Sequence, residues 1–576
     1  VPLKTDVSAR PFVRNGATET PLPAPDRVFQ TDKPEPLTGG MVRIDRQNPR
    51  LFVDDARATY TPIGINVGWQ NPNWKPMAQQ FADMREAGMN WARIWACHWD
   101  GKNPMWIEGR NIPVGDFALE PLKRWDDLVQ AAERNQIRFQ FVLFHHGPYS
   151  LNVNSNWNEH PWNVKNGGFL NRPAEFFTLP RAKQLARNWI RYAVARYGHS
   201  NAVLSYELFN EVEWVEGPRT GDWAQVHAWH REMFAYLREL DRSGRPMTTS
   251  SEQRPVGLYE AADFYNPHAY PVSVRAYLAT APVATDKPFF YGEIGPGGGG
   301  PEAHKEALRD GLWTSALRGH SGAACYWFWD NMTPAFYQEY RQFANLVGRV
   351  LPGGFVSAKF NAAQIQAPAV GPLTLRPGRG WGENGVFELN LPQDGSPAGT
   401  GSLSSYFNSQ TGGNRALFRR PLTLKWRAPR AGLVEISLAE IARGGARLEV
   451  TVNGRLAQRR DYAAGDGDRG SSERVTVGFP AGEVTMVIAS NGADWFRLAS
   501  ITVPDIGPGL QGETALFTSG LMARATQTGP AVRELVMTVP AGVTPSGSAT
   551  LLDLDTGRET TASVQVTGST WRLAWP

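Results

Sequence analysis

From residue 41 to about 350 the chain alternates between two textures. Short apolar segments rich in strand-forming residues recur, and most are followed by a longer stretch whose apolar positions repeat every three or four residues. The strand candidates are YTPIGINVGW (60–69), MNWARIWACHW (89–99), IRFQFVLFHHG (137–147), AVLSYELFNE (202–211), PMTTSS (246–251), DFYNPHAY (263–270), PFFYGEIG (288–295) and GAACYWFWD (322–330). Between them lie the amphipathic segments KPMAQQFADMREAG, PLKRWDDLVQAAERN, RAKQLARNWIRYAVARYG, WAQVHAWHREMFAYLREL, EAHKEALRDGLWTSALRG and FYQEYRQFANLVGRV. Eight strands with intervening helices predict an α/β fold, a (β/α)8 TIM barrel over residues 41–352, rather than an open doubly wound sheet. The helical signal is weakest after the fifth and sixth strands.

The texture changes after about residue 352. LVEISLAEI, ARLEVTVNGRL, ERVTVGF, EVTMVIAS and FRLASITV alternate apolar and polar positions, which predicts an antiparallel, jelly-roll-like β-sandwich over 386–505. A small β domain, 506–576, ends in TWRLAWP. Residues 353–385 read as a linker whose strand-like GPLTLRP (371–377) would pair with that last domain, making the sandwich an insertion. The Pro-rich residues 1–40 read as an arm or linker.

Composition narrows the function classes. Hydrophobic residues make up 41% of the 576 and charged residues 20%, as in a soluble protein with a sizeable core. The net charge of +4, with no Lys/Arg cluster, argues against a nucleic-acid partner. The two cysteines, Cys97 and Cys325, sit in apolar runs and read as buried free thiols. Ten histidines show no metal-ligand spacing, so neither a metal nor another cofactor is expected. No apolar run approaches the roughly 18–20 residues of a membrane span. The start at Val1 suits a chain whose export signal has been removed, so a secreted or periplasmic location is expected. The 21 tryptophans exceed ordinary usage, and indole faces stack well on sugar rings.

The stretch SYELFNEVEW (205–214) places Glu207, Glu211 and Glu213 in and just after a strand that otherwise reads as buried. A carboxylate is costly to bury without a partner or a task. In barrels of this kind chemistry sits at the C-terminal strand ends. The fourth strand then offers Asn210 and Glu211, and the seventh offers Glu293. Arg93 lies on the second, His145 and His146 end the third, His268 and Tyr270 the sixth, and Trp327 and Trp329 the eighth. Two carboxylates across a barrel mouth suit glycosidic bond cleavage, one protonated and one ionised. Arg93 would favour the ionised form of Glu293, with Tyr270 donating a hydrogen bond to it.

The ordered set Arg93, His146, Asn210-Glu211, His268-x-Tyr270, Glu293 and Trp329 resembles glycoside hydrolase family 5 and related clan A retaining glycosidases, over roughly residues 41–350. The resemblance implies that Glu211 is the acid/base and Glu293 the nucleophile of a double displacement on β-glycosidic bonds in poly- or oligosaccharides. It implies that Asn210 holds the sugar's 2-hydroxyl, that Arg93 and Tyr270 hold the nucleophile, and that His146 and His268 line the subsite. It leaves open His145 against His146 and Trp327 against Trp329. A clan A furanosidase, acting on arabinofuranosides or galactofuranosides, would use the same acid pair. A non-catalytic carbohydrate-binding protein on a degenerate barrel is the reading from another class.

Other features have plainer readings. Glu207, deeper on the same side of its strand, is expected to be a paired structural charge, with Arg93 as the candidate partner. Glu213 and Glu216 are expected to be solvated, and His227 and His230 to belong to a helix–sheet contact or the surface. GPGGGGPE (295–302) lacks the Lys-Ser/Thr of a phosphate loop and reads as a connector or lid; GDGDRG (465–470) reads as a turn. The sandwich resembles carbohydrate-binding modules in texture only, and a spacer role fits it equally well.

Overall fold

The computed structural model describes residues 37–575 other than 220, 253–256, 272, 298–299, 367–370, 378–386, 393–402, 410–418, 493, 508, 528–532 and 545–546, together with short strands at 7–9, 12–15, 18–21 and 27–29. Two glycines of the GPGGGGPE segment read as a connector or lid, Gly298 and Gly299, lie outside the described residues.

Five parallel strands run side by side in chain order: β1 (Gly64–Asn66), β2 (Trp91–Trp95), β3 (Arg138–His145), β4 (Val203–Asn210) and β5 (Met247–Thr248). A second parallel pair, β6 (His268–Ala269) and β7 (Glu293–Ile294), continues the sheet. The eighth position is Tyr326, which bridges to Ile294 on one side and to Ile65 on the other. Between β5 and the segment leading into β6, the Asp263 amide donates to the Met247 carbonyl at 2.8 Å. The ring is therefore closed, and a parallel sheet covered on both faces explains why all eight residues of β3 and of β4 are buried.

The helices α1 (Met77–Glu86), α2 (Leu119–Arg134), α3 (Pro180–Tyr197), α4 (Ala224–Leu240), α5 (Val274–Thr280), α6 (Pro301–Leu317) and α7 (Pro334–Val350) supply the outer layer. Their apolar stripes face the barrel; Trp125 of α2, for example, stacks on Phe141 of β3 at 3.9 Å between ring centroids. The segments with the weakest periodicity behave accordingly. No helix follows β5 among the described residues, and α5 is a seven-residue helix whose cap is the Ser273 side chain.

A small antiparallel sheet (Arg43–Ile44, Phe52–Val53, Thr59–Tyr60) closes the N-terminal end of the barrel. Phe52 packs there edge-on against Phe264 and Phe290, in one cluster with Trp91 and Leu204 from the starts of β2 and β4. Chemistry is left to the opposite end.

Beyond α7 the strands are almost all antiparallel. One sheet joins 371–375, 495–507, 432–441 and 469–470, and a second joins 388–390, 422–428, 482–490, 446–452 and 455–462. Alternate residues of both, among them Leu375, Leu424, Trp426, Ile436, Leu448, Met486 and Ile501, enter one buried apolar cluster. The expected pairing of GPLTLRP with the last domain is corrected here. Gly371–Leu375 pairs instead with 501–507, because Leu373 and Leu375 belong to that cluster. Lys359–Phe360 and Gln364–Gln366 are the strands that pair with 515–516 and 536–538. The two sheets are thus inserted between segments that pair with one another.

Candidate active site

Arg93 of β2 is wholly buried and organises the barrel's interior. Its Nε and Nη2 donate in parallel to the two oxygens of Glu207 on β4, each at 2.7 Å. Nη1 donates to Glu293 Oε1 at 2.5 Å and to Asn66 Oδ1 at 3.1 Å, and Nη2 also reaches Asn210 Oδ1 at 2.6 Å. Asn66 of β1 and Gln140 of β3 lie beside Arg93 in strand register. Gln140 Nε2 donates to Glu207 Oε2 at 2.5 Å and to Asn266 Oδ1 at 2.9 Å, and Ser250 Oγ donates to Glu207 Oε1 at 2.7 Å. Glu207 is the paired charge expected of it. Asn66, Gln140, Ser250 and Asn266 were not foreseen, although each is a buried polar residue in or beside an otherwise apolar strand. That is a legible signal, because strand positions two apart share a face and an inward polar group must find a partner.

Glu211 follows directly on β4 in a left-handed backbone conformation, φ 49°, which side chains other than glycine rarely adopt and which tends to be kept at working sites. Its amide donates to Ser250 Oγ at 3.1 Å. Its carboxylate meets His268 Nδ1 at 2.9 Å and lies 3.7 Å from His146 Nδ1. The same His268 nitrogen lies 3.3 Å from Glu293 Oε2, to which the Tyr270 hydroxyl donates. The ligand atoms of Glu211, His268 and Glu293 all fall within 4.8 Å of one another, which is also a geometry a cation could use. The Arg93 guanidinium in direct contact with Glu293 opposes a second positive charge there.

Burial dominates the electrostatics. It pushes the Glu211 carboxyl well above the usual range, and Glu293 and Glu213 raise it further. Glu293 was expected to be depressed by Arg93. Arg93 and Tyr270 do lower it, but burial outweighs them and leaves it at about 8. Both acids are therefore raised, and they differ in their partners: Glu293 holds a guanidinium and a phenol, Glu211 two imidazoles. Glu293 is the one equipped to ionise first. Burial works against the Arg93 cation too, yet Glu207 and Glu293 overcome it and keep it charged. His268 is pushed well below its ordinary value, and His146 to about 4, both chiefly by burial, so both face the acids as neutral rings. Glu213, expected to be solvated, is buried; it accepts the Glu252 amide at 2.5 Å, and burial lifts it to about 7.

The two histidines point to different places, whereas the two tryptophans stay together at the mouth. His146 Nδ1 lies 3.3 Å from Asn210 Nδ2 and faces Glu211. His145 turns away and joins a run of roughly parallel rings, Trp95, His145, His98 and Trp106, at 27°, 12° and 5° between successive planes. Trp327 packs on Trp95, whose ring lies 5.5 Å from the Arg93 guanidinium carbon. Trp329 stands perpendicular to Trp327 and to Trp69, donating its Nε1–H to the Trp69 carbonyl at 3.2 Å. With Trp74 and Trp99 these rings form one aromatic wall on the side of the mouth where β1, β2 and the eighth strand position meet.

No family model matches the chain. In sequence it is similar to a probable mannan endo-1,4-β-mannosidase A-2 of Aspergillus terreus, 26% identical over 202 residues that cover 33% of this chain and 46% of the relative. It is also similar to the mannan endo-1,4-β-mannosidase F of Aspergillus fumigatus, 23% identical over 219 residues, 34% of this chain and 47% of the relative. The chain thus spans about half the length of the curated relatives it matches. Among solved structures, an endo-1,4-β-mannanase from Rhizomucor miehei aligns over 54% of this chain and 100% of its own, at 16% identity and a TM-score of 0.43. A β-mannanase from the blue mussel Mytilus edulis aligns over 55% and 98%, at 15% identity and 0.38. In its site residues and in these sequence relatives, the chain resembles the family 5 glycoside hydrolases of clan A.

Proposed function

We propose that the chain is a retaining β-glycoside hydrolase, with Glu293 as nucleophile and Glu211 as acid/base. The observation that carries this is the approach of the two carboxylates at the C-terminal end of the barrel, each among different partners. Glu293, held by Arg93 and Tyr270, attacks the anomeric carbon of the sugar. Glu211, kept protonated by burial, gives its proton to the departing oxygen. The glycosyl–enzyme ester is then opened by a water whose proton Glu211 takes back. Asn210 is fixed by Arg93 on one side and His146 on the other, and presents its amide to the sugar's 2-hydroxyl. The aromatic wall of Trp327, Trp329 and Trp69 offers faces for the ring.

The substrate class we infer is a β-mannoside-containing glycan, since the sequence relatives are named for mannan. We take residues 41–352 as the catalytic domain and the inserted sandwich as a spacer. Trp426 and Trp495, tryptophans of the sandwich, are buried in it and offer no flat exposed platform. Among the described residues no helix is long and apolar enough to cross a membrane, and export to act on an external glycan suits this reading.

Turnover of a panel of aryl β-glycosides and of mannan, glucan and galactan polymers tests the proposal. Hydrolysis of the β-mannosides, with covalent trapping of Glu293 by a slow-reacting 2-fluoro glycoside, is the expected result. Labelling of another residue, or turnover of α-glycosides alone, overturns it.

A further inference from the structure

Arg93 serves two carboxylates unequally. Glu207 takes the Nε/Nη2 edge of the guanidinium in a two-point contact, while Glu293 receives only Nη1. Glu207 is further held by Gln140 Nε2 and Ser250 Oγ, so four donor contacts converge on its two oxygens with no access to solvent. Glu207 therefore takes the larger share of the contacts that Arg93 offers, and Glu293 the smaller.

The groups that face Glu293 make this division matter. Arg93 comes from β2, Glu207 and Glu211 from β4, His268 and Tyr270 from β6, and Cys325 from the eighth strand position. His268 is neutral there, which leaves Arg93 as the one cation among them. How readily the nucleophile ionises therefore depends on how much of Arg93 is left to it.

Resting on the reading of Glu293 as nucleophile, we propose that Glu207 is a positioning residue that divides the charge of Arg93 and so keeps the nucleophile basic. A carboxylate clamped by an undivided guanidinium ionises easily but attacks poorly, because its charge is already spent on the cation. Glu207 fixes the guanidinium's angle and withdraws part of its field. Glu293 is then held in place and still able to form a bond to carbon. Gln140 acts one step further out: its hydrogen bond disperses the charge of Glu207 and so limits the pull of Glu207 on Arg93.

Two variants with opposite signs test this. In Glu207→Gln the Arg93 charge falls to Glu293 alone, so the acidic limb of kcat/KM on an activated aryl β-mannoside should move down by about one pH unit. In Gln140→Leu the charge of Glu207 is less dispersed and draws harder on Arg93, so the limb should move up. Carbon-13 NMR of the labelled Glu293 carboxyl, without substrate, should report the same two shifts. A folded Glu207→Gln whose Glu293 titration is unmoved, or moves up, overturns the proposal. Should Glu207→Gln not fold, Gln140→Leu decides alone, and an unmoved titration in it overturns the proposal equally. Failure of the wild type to hydrolyse any glycoside would sink the proposed function, while the NMR titrations would still judge the role of Glu207.

Discussion

Glu211 and Glu293 bring carboxylate oxygens within 4.8 Å of each other, although they rise from β4 and β7 on opposite sides of the barrel mouth. Retaining glycosidases hold their acids about 5–5.5 Å apart, and inverting enzymes need about 6.5–9.5 Å to admit a water. The first product released should therefore keep the anomeric configuration of the substrate. Proton NMR of a fresh hydrolysate, read before mutarotation, measures this directly, and an inverted first product would refute the double displacement.

The two acids should fail differently. Glu211→Ala should slow substrates with poor leaving groups by about 10²–10⁴-fold, and activated aryl glycosides far less, since those depart without a proton. Azide should restore turnover of the activated substrates, because the glycosyl–enzyme still forms and a small anion replaces the missing base. Glu293→Ala should abolish both kinds of turnover. Leaving-group dependence in Glu293→Ala rather than in Glu211→Ala would exchange the roles.

The ionisation of Glu293 has a sign that stability measurements can read. Burial lifts its carboxyl to about 8, so the folded protein binds this proton more tightly than the unfolded chain does. The stability this contributes is fully present below the ordinary value of 4.5 and is lost as the pH rises through about 8. Glu293→Gln carries no such proton. Relative to the wild type it should gain on the order of 3 kcal/mol between about pH 5 and about pH 8.5, measured by urea unfolding at both ends. A gap that stays constant across that range would show that Glu293 ionises normally. In activity, the acidic limb of kcat/KM should lie far above the usual carboxylate range.

How much of this was legible in the sequence differs by level. The order of barrel strands followed from periodicity, since apolar runs such as those of β3 and β4 have few other ways to be buried on both faces. The strand-end residues followed from the barrel rule alone, because their neighbours in sequence fix where each strand stops. Three things were out of reach. The net shift of Glu293 is a contest between burial and Arg93, and burial is a property of the assembled site. Which of His145 and His146 turns towards Glu211 depends on how the chain bends just after β3, where alternation no longer applies. The partner of Gly371–Leu375 is set by which apolar cluster its leucines reach, and antiparallel partners far apart in sequence leave no local mark.

The last domain should be thermodynamically part of the barrel. Arg524, on the strand 520–527, pairs with Asp310 of α6 and lies within 3.9 Å of Glu513, which in turn binds Arg275 of α5 at 2.9 Å and Thr314 of α6 at 3.3 Å. Asp310, Glu513, Thr314 and Arg524 are all buried. Removing one partner of a buried ion pair strands the other without water, which costs about 3–5 kcal/mol, whereas replacing both by apolar groups is often neutral. Arg524→Leu should therefore lower the melting temperature of the whole protein in one cooperative transition. Adding Asp310→Leu should recover most of that loss, which a purely additive effect would not do. Calorimetry of the two single variants and the double variant decides. Separate transitions for barrel and last domain in the wild type, or a double variant as costly as the sum of the singles, would mean that the two units are only tethered.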